Sequence, residues 1–167
     1  MKILLLIRHA KSGWDNPSLP DFERTLTEPG KTDAKMMAKR VEEKDFKIDV
    51  LVSSSAKRAK KTAKIFMKEL KIDERNFQLT DSLYEAPVKK FYDAVEFLDD
   101  EYKTVALFSH NPGITEFINS LDCHPVYDMP TCAVYACRIK TNHWKDFRTS
   151  EKEFLFFDFP KSWIINP

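Results

Sequence analysis

Glycine, cysteine, uncompensated charge and long apolar runs are all scarce in this 167-residue chain. Three glycines, Gly13, Gly30 and Gly113, leave no Gly/Ser linker, and no stretch repeats or falls to low complexity. The economical reading is one domain over residues 1–167, long enough to bury about 70% of the surface its unfolded form exposes. Three cysteines, Cys123, Cys132 and Cys137, are odd in number and lack CxxC or Cys/His ligand spacing. That argues against a disulfide framework or a zinc site and for reduced thiols in a cytosol. The charges nearly cancel, 27 Lys and Arg against 26 Asp and Glu for a net +1. No global field therefore draws the chain to nucleic acid or an anionic membrane, and any anion site must be local. The apolar residues before Arg8 are too few for a signal-peptide core, and no later run approaches a membrane span, so the expected location is cytoplasmic.

What the chain does have is a repeated design. It opens MKILLLIRHAKS, where Ile3 to Ile7 is apolar without alternation, as in a parallel strand covered on both faces near the centre of a sheet. That strand runs straight into Arg8 and His9. The segment from Arg8 to Leu26 holds Trp14, Pro17 and Pro20 without periodicity, and a loop of that length usually borders a site. Thr27 is placed to cap a helix with Glu28 and Pro29 in its first turn and Ala34, Met37, Ala38 and Val41 on its apolar face. A second strand is expected over Asp49 to Ser53, then a helix capped by the following serines and faced by Ala59, Thr62, Ala63, Phe66 and Leu70.

Phe77 to Leu79 reads as a brief edge strand. The spacing of Val88, Phe91, Val95 and Leu98 predicts another helix, with Pro87 in its first turn and Glu85 just before it. A third apolar run, Lys103 to Ser109, stops at His110, where Asn111 can cap and Pro112 begin a helix. Ala133 to Ile139 and Phe154 to Phe159 read as late strands toward an edge. Strands alternating with helices imply an α/β fold of three layers: a mostly parallel central sheet with helices on both faces. Such sheets take their ligands at the carboxyl ends of the strands.

Arg8, His9, Arg58 and His110 all follow such strand ends and should meet. Two arginines and two histidines gathered together repel unless an anion compensates them, and a phosphoryl group fits. Helix N-termini near Ser55 and Asn111 would add backbone donors. A neutral imidazole can attack phosphorus if its other nitrogen donates to a fixed acceptor, which gives His9 the part of nucleophile and a covalent phosphohistidine as intermediate. Arg8 and Arg58 would spread the transition-state charge, as would a protonated His110, without a metal. Glu85 is the candidate to protonate the leaving group, or it makes only a helix-terminal contact. Asp15 and Asp21 are weaker candidates for that task. Ser12 either adds a hydroxyl to the pocket or satisfies the loop backbone.

In order and context, RHAKS at 8–12, SSSAKRAKKTA at 53–63, LYEA at 83–86 and SHNPGI at 109–114 resemble the motifs of the histidine phosphatase superfamily, and within it the SixA-like phosphohistidine phosphatases. DFERTLTEPG at 21–30 and the closing FPKSW extend the resemblance over nearly the whole chain. It implies a phosphoglycerate mutase-like fold, His9 as the phosphorylated residue, a pocket of Arg8, Arg58 and His110, and no metal or organic cofactor. Arg24 matches an arginine of the branch and either lines the site or pairs with Asp21 or Glu23. Where many members carry RHG this chain has Ala10, so no glycine-only backbone is expected there.

Protein phosphohistidine is the implied substrate, and its N–P bond needs little help from an acid once the imidazole is protonated. The alternative substrate is a small phosphomonoester with Glu85 as general acid. A non-enzymatic module that binds phosphorylated partners is a third reading. A mutase fits poorly, because 51 residues between Arg58 and His110 leave little room for a lid. Cys132 and Arg138 have the C-x5-R spacing of cysteine phosphatases, but the AVYAC between them is β-prone and lacks glycine. His124 and His143 are expected in surface loops, and the lysines of KRAKK on a solvated helix face.

Overall fold

The computed structural model describes residues 1–14 and 16–162. Asp15 and the Trp163 of the closing motif lie outside the described residues. The first strand, β1 (Lys2–Arg8), owes its lack of polar alternation to cover on both sides. Leu4 and Leu6 enter one core with α3 (Val88–Glu96) and α4 (Gly113–Asn119), through Phe91, Val95, Ile114 and Phe117. Leu5 and Ile7 enter the other with α1 (Glu28–Glu42) and α2 (Lys57–Glu69), through Ala34, Met37, Ala63 and Phe66. Successive side chains of one strand thus serve two helical layers.

The remaining strands are β2 (Val50–Ser54), β3 (Phe77–Thr80), β4 (Thr104–Ser109), β5 (Val134–Ile139) and β6 (Lys152–Asp158). They lie in the order β3-β2-β4-β1-β5-β6. β3, β2, β4 and β1 run parallel, while β5 and β6 are antiparallel additions at one edge. The order of strands and helices, the central place of β1, the parallel core and the edge positions of β3 and β6 agree with the sequence reading. Among the described residues no helix is long and apolar enough to cross a membrane.

α1 begins as its sequence dictates. Thr27 is extended, and its hydroxyl accepts from the Gly30 backbone N–H at 3.1 Å. Gly30 is needed for a second reason: a Cβ there would fall 2.2 Å from the carbonyl oxygen of Lys11. That carbonyl also receives the Thr27 N–H at 3.0 Å, so the start of α1 is stitched to the chain leaving β1. Two other expected caps are not caps. α2 is preceded by Ala56, with no side-chain cap, because the serines before it are engaged elsewhere: Ser54 faces His110, and the Ser55 hydroxyl donates to Asp81. α4 is preceded by Pro112. The Asn111 amide instead donates to Asp128 and to the Met129 carbonyl, and its oxygen accepts from Thr115. Pro87 likewise stands just before α3 rather than inside its first turn.

Candidate active site at the carboxyl edge of the sheet

Register explains why distant residues converge. Arg8 is paired with Ser109, and Ser53 with Phe108, so β1, β4 and β2 end side by side and the chain leaves all three at one edge. His9 and His110 are the first residues beyond β1 and β4, and their ring centroids stand 5.1 Å apart. Arg58 comes from the first turn of α2, one loop beyond β2, and its Nε donates to His9 Nε2 at 3.2 Å. Arg8, half-buried at the end of β1, donates from Nη1 to the Met129 carbonyl at 2.6 Å. A cavity of about 360 Å³ is lined by these four residues together with Lys11, Ser12, Asp21, Arg24, Glu85, Asn111 and Thr131. A larger cavity of about 590 Å³ between β3 and α3 has neither histidine nor arginine in its lining, so chemistry rather than size locates the site.

His9 is held in one tautomer. Its Nδ1 lies 2.8 Å from the Ala10 carbonyl oxygen, which can only accept, so Nδ1 carries the proton and Nε2 the lone pair. Burial is the largest influence on its basicity. It outweighs the Ala10 contact and, with the charges of Arg58, Arg8 and Arg24, lowers the His9 pKa to about 3. Burial, then His9 and Arg58, lower His110 to about 3 as well. Both rings are therefore neutral at neutral pH in the free protein, so the protonation on which the sequence reading made the part of His110 conditional is not met there. The same crowding acts on Arg8, whose charge burial disfavours, Asp128 favours and Arg58 opposes. Among the described residues two buried nitrogens, Arg8 Nε and His110 Nδ1, have no hydrogen-bond partner. An unmet buried donor costs about 1–3 kcal/mol, a cost that an incoming acceptor would relieve.

Asp21 has a part the sequence did not reveal. One carboxylate oxygen accepts from Arg58 Nη2 at 3.0 Å and from the Tyr84 hydroxyl at 2.8 Å, and the other from Arg24 Nη1 at 3.0 Å. Burial alone would raise its pKa, but the hydrogen bonds from Tyr84 and Arg24 and the guanidinium of Arg58 prevail and hold it at about 2. Asp21 is thus a fixed anion, not a proton donor, and clasps the 3₁₀ turn at Asp21–Glu23 to α2 and to the segment before α3. Arg24 proves to do both things proposed for it, pairing with Asp21 and lining the cavity. It also donates to the Ser12 hydroxyl at 2.7 Å and stacks on Trp14 at 3.6 Å. Lys57 and Lys61 of the KRAKK run are half-buried, partly solvated and partly engaged. They reach Glu23 at 3.6 Å and the Thr25 hydroxyl at 2.7 Å, strapping the same loop down. No spacing in the sequence could announce contacts between residues 37 and 63 positions apart; the DFER and LYEA motifs were the available signal.

Glu85 lines the cavity on an exposed turn with φ 48, a left-handed conformation that stores strain in a non-glycine residue. Ala10 has no such strain; its N–H donates to Thr62 Oγ1 at 3.0 Å. His124 and His143 are exposed and remote, the one stacked on Phe154 and the other paired with Asp100. Among the described residues no three His, Cys, Asp or Glu side chains cluster to hold a metal. The donors at the edge are arginine and imidazole nitrogens suited to an anion.

The family model of the histidine phosphatase superfamily (branch 1) matches residues 4–96. A 2,3-bisphosphoglycerate-dependent phosphoglycerate mutase from Buchnera aphidicola is 33% identical over 77% of this chain, which spans 59% of the length of that relative. The protein histidine phosphatase SixA complexed with tungstate superposes with a TM-score of 0.82 at 18% identity, over 96% of this chain and 99% of that one. A mycobacterial glucosyl-3-phosphoglycerate phosphatase in complex with VO3 gives 0.74 at 15% identity, over 95% and 100%. At those identities the two structures share the fold with this chain.

Proposed function

The chain belongs to the histidine phosphatase superfamily, and we propose that it is a phosphatase that passes a phosphoryl group through a covalent phosphohistidine on His9, with protein phosphohistidine as substrate. The observation that carries this reading is the state of His9: Nδ1–H fixed on the Ala10 carbonyl, and a neutral, lone-pair-bearing Nε2 among Arg8, Arg58 and His110. The structural neighbours that hold tungstate and VO3 support an oxyanion in such a cradle.

In this reading Arg8, Arg58 and His110 take the phosphoryl oxygens, with Ser12 and Arg24 at the rim. As the substrate enters, the Arg58 N–H that engages Nε2 turns to a phosphoryl oxygen and frees the lone pair. Nε2 then forms a bond to phosphorus while the bond to the substrate nitrogen breaks, and its electron pair leaves with the substrate ring, which already carries a proton from solvent on its other nitrogen and so departs as neutral imidazole. The Ala10 carbonyl stabilises the Nδ1–H of the cationic phosphoimidazole. Water next attacks phosphorus, the P–Nε2 bond returns its electrons to His9, and orthophosphate departs with the protons of that water. No metal enters these steps.

Phosphomonoester hydrolysis is the second reading, favoured by one observation: the Glu85 carboxylate lines the same cavity, where it could protonate an alkoxide. The test of both is brief exposure to a phosphohistidine peptide, followed by mass spectrometry of the protein. Acid-labile phosphate on His9, absent from His9→Ala together with at least ~10³-fold of the turnover, is expected. Turnover without His9 would overturn the reading, and binding without turnover in the wild type would leave a phospho-binding module.

A further inference from the structure

The second histidine of the cradle faces Ser54, a serine that the sequence reading took for a helix cap. His110 Nε2 lies 2.8 Å from Ser54 Oγ. Ser54 is the last residue of β2 and is fully buried. Its oxygen already accepts from the Ala56 backbone N–H at 3.3 Å. Among the described residues, the hydroxyl proton of Ser54 has no acceptor within hydrogen-bond reach other than His110 Nε2. If the serine instead accepted from Nε2–H, its own proton and the Nδ1 lone pair would both be left buried and unmet, whereas the first arrangement leaves only Nδ1–H to be met by a ligand.

We propose that Ser54 is a positioning residue whose hydroxyl donates to His110 Nε2. The ring is thereby kept neutral with its proton on Nδ1, and it presents that N–H to a phosphoryl oxygen. Nδ1 is the buried nitrogen of this ring that has no partner among the described residues, so the donor and the lack of a competing acceptor there coincide on one atom.

The surroundings agree from every side. The His9 ring at 5.1 Å and the cations Arg58 and Arg8 oppose a positive His110, and the edge of Tyr84 packs against it at 5.6 Å. Asp21 favours the charge, but it is taken up by Arg58, Arg24 and Tyr84. The two histidines are therefore complementary. His9 carries its proton on Nδ1, against a backbone carbonyl, so that Nε2 can attack. His110 accepts at Nε2, from a side chain, so that Nδ1 can donate. A neutral donor also spares the cradle a third positive charge before the substrate arrives.

This inference rests on the phosphatase reading, and its test separates the two. In wild-type protein labelled with ¹⁵N at histidine, at neutral pH, long-range ¹H–¹⁵N spectra should show His110 with a protonated Nδ1 and an unprotonated Nε2. Inorganic phosphate should shift the Nδ1 resonance. In Ser54→Ala that tautomer preference is lost, kcat falls by about tenfold with a smaller change in KM, and the melting temperature controls for folding. A wild-type His110 protonated on Nε2, or on both nitrogens, overturns the proposal without recourse to any variant. So does a Ser54→Ala protein that keeps both the tautomer and kcat. A wild type that shows the expected tautomer and phosphate shift but forms no phosphohistidine on His9 sinks the catalytic reading and leaves the Ser54 contact standing.

Discussion

Two regions of this molecule carry residues that could be taken for phosphate chemistry, and they differ in what the backbone leaves free. At the carboxyl edge of β1, β4 and β2, three parallel strands release the chain in the same direction. Arg8 therefore stands on the last rung of the ladder and His9, Arg58 and His110 beyond it, and among the described residues Arg8 Nε and His110 Nδ1 are left without a hydrogen-bond partner. On the antiparallel β5 the backbone of Val134 to Ile139 is paired with β1 on one side and β6 on the other. Cys132, just ahead of it, is buried, its thiol pushed far above the ordinary range by that burial, and its N–H donates to the His9 carbonyl. Arg138 is paired with Glu153 at 2.9 Å on the partly exposed face. A cysteine and an arginine at a phosphatase spacing make no cradle when the amides between them are committed to a sheet. A parallel edge leaves donors open, and a central antiparallel strand consumes them.

The sharpest way to break this contrast is to remove one arginine from each region. Arg58→Ala should lower kcat/KM by about 10²–10³-fold, because it deletes charge from the transition state and unlocks Asp21. Arg138→Ala should change it by less than about twofold and alter stability little, as partly exposed ion pairs do. Steady-state rates on a phosphohistidine peptide compare them directly, and equal losses would dissolve the distinction. A smaller effect is expected from Asp21→Asn, which keeps the size of the side chain but removes the anion between Arg58 and Arg24 and turns one of its two acceptors into a donor. A loss of about tenfold, carried mainly by kcat, would mark Asp21 as the group that aims Arg58. An unchanged rate would make the clasp merely structural.

How far these regions can be told apart in the sequence follows from the range of the forces. Periodicity is local, so the two-faced burial of β1, the apolar face of α1 and the Thr27 cap were legible in ILLLI, in Ala34–Met37–Ala38–Val41 and in TEPG. The convergence of His9, Arg58 and His110 was legible too, because strand order and direction carry strand ends to one edge. The serine and asparagine caps were misread, since a short polar side chain beside a helix start has two customers, and the buried imidazole and the loop carbonyls took these. Ser54, Tyr84 and the Asp21 clasp stayed hidden because their partners are set by packing between segments far apart in the chain.

Acid should also divide the regions. The unfolded chain protonates histidine near 6.5, whereas His9 and His110 in the fold resist to about 3. Between those values the unfolded state binds more protons. The stability these buried neutral rings contribute is thus whole above about 6.5 and is lost as pH falls toward 3. Asp21 adds its own loss lower down, from 3.8 toward its folded value of about 2. The melting temperature should therefore fall by several degrees between about pH 7 and about pH 5, and replacing both cradle histidines with glutamine should flatten that slope. A slope unchanged in the double variant would place the acid sensitivity elsewhere.

The smallest expected effect falls on Glu85, and its smallness is informative because the answer depends on the leaving group. A phosphohistidine loses an imidazole that is easily protonated from solvent near neutral pH, so the reaction asks little of a positioned acid. A phosphomonoester loses an alkoxide, which asks a great deal. Glu85 stands at the cavity on a strained, exposed turn, without the clasp that fixes Asp21. Glu85→Gln should then change the rate on a phosphohistidine peptide by less than about twofold and lower the rate on a simple phosphomonoester by about 10²-fold. If both rates fell together, the carboxylate would belong to the cradle itself, and the division between a rigid pocket for the phosphoryl group and a pliant rim for the leaving group would have to be redrawn.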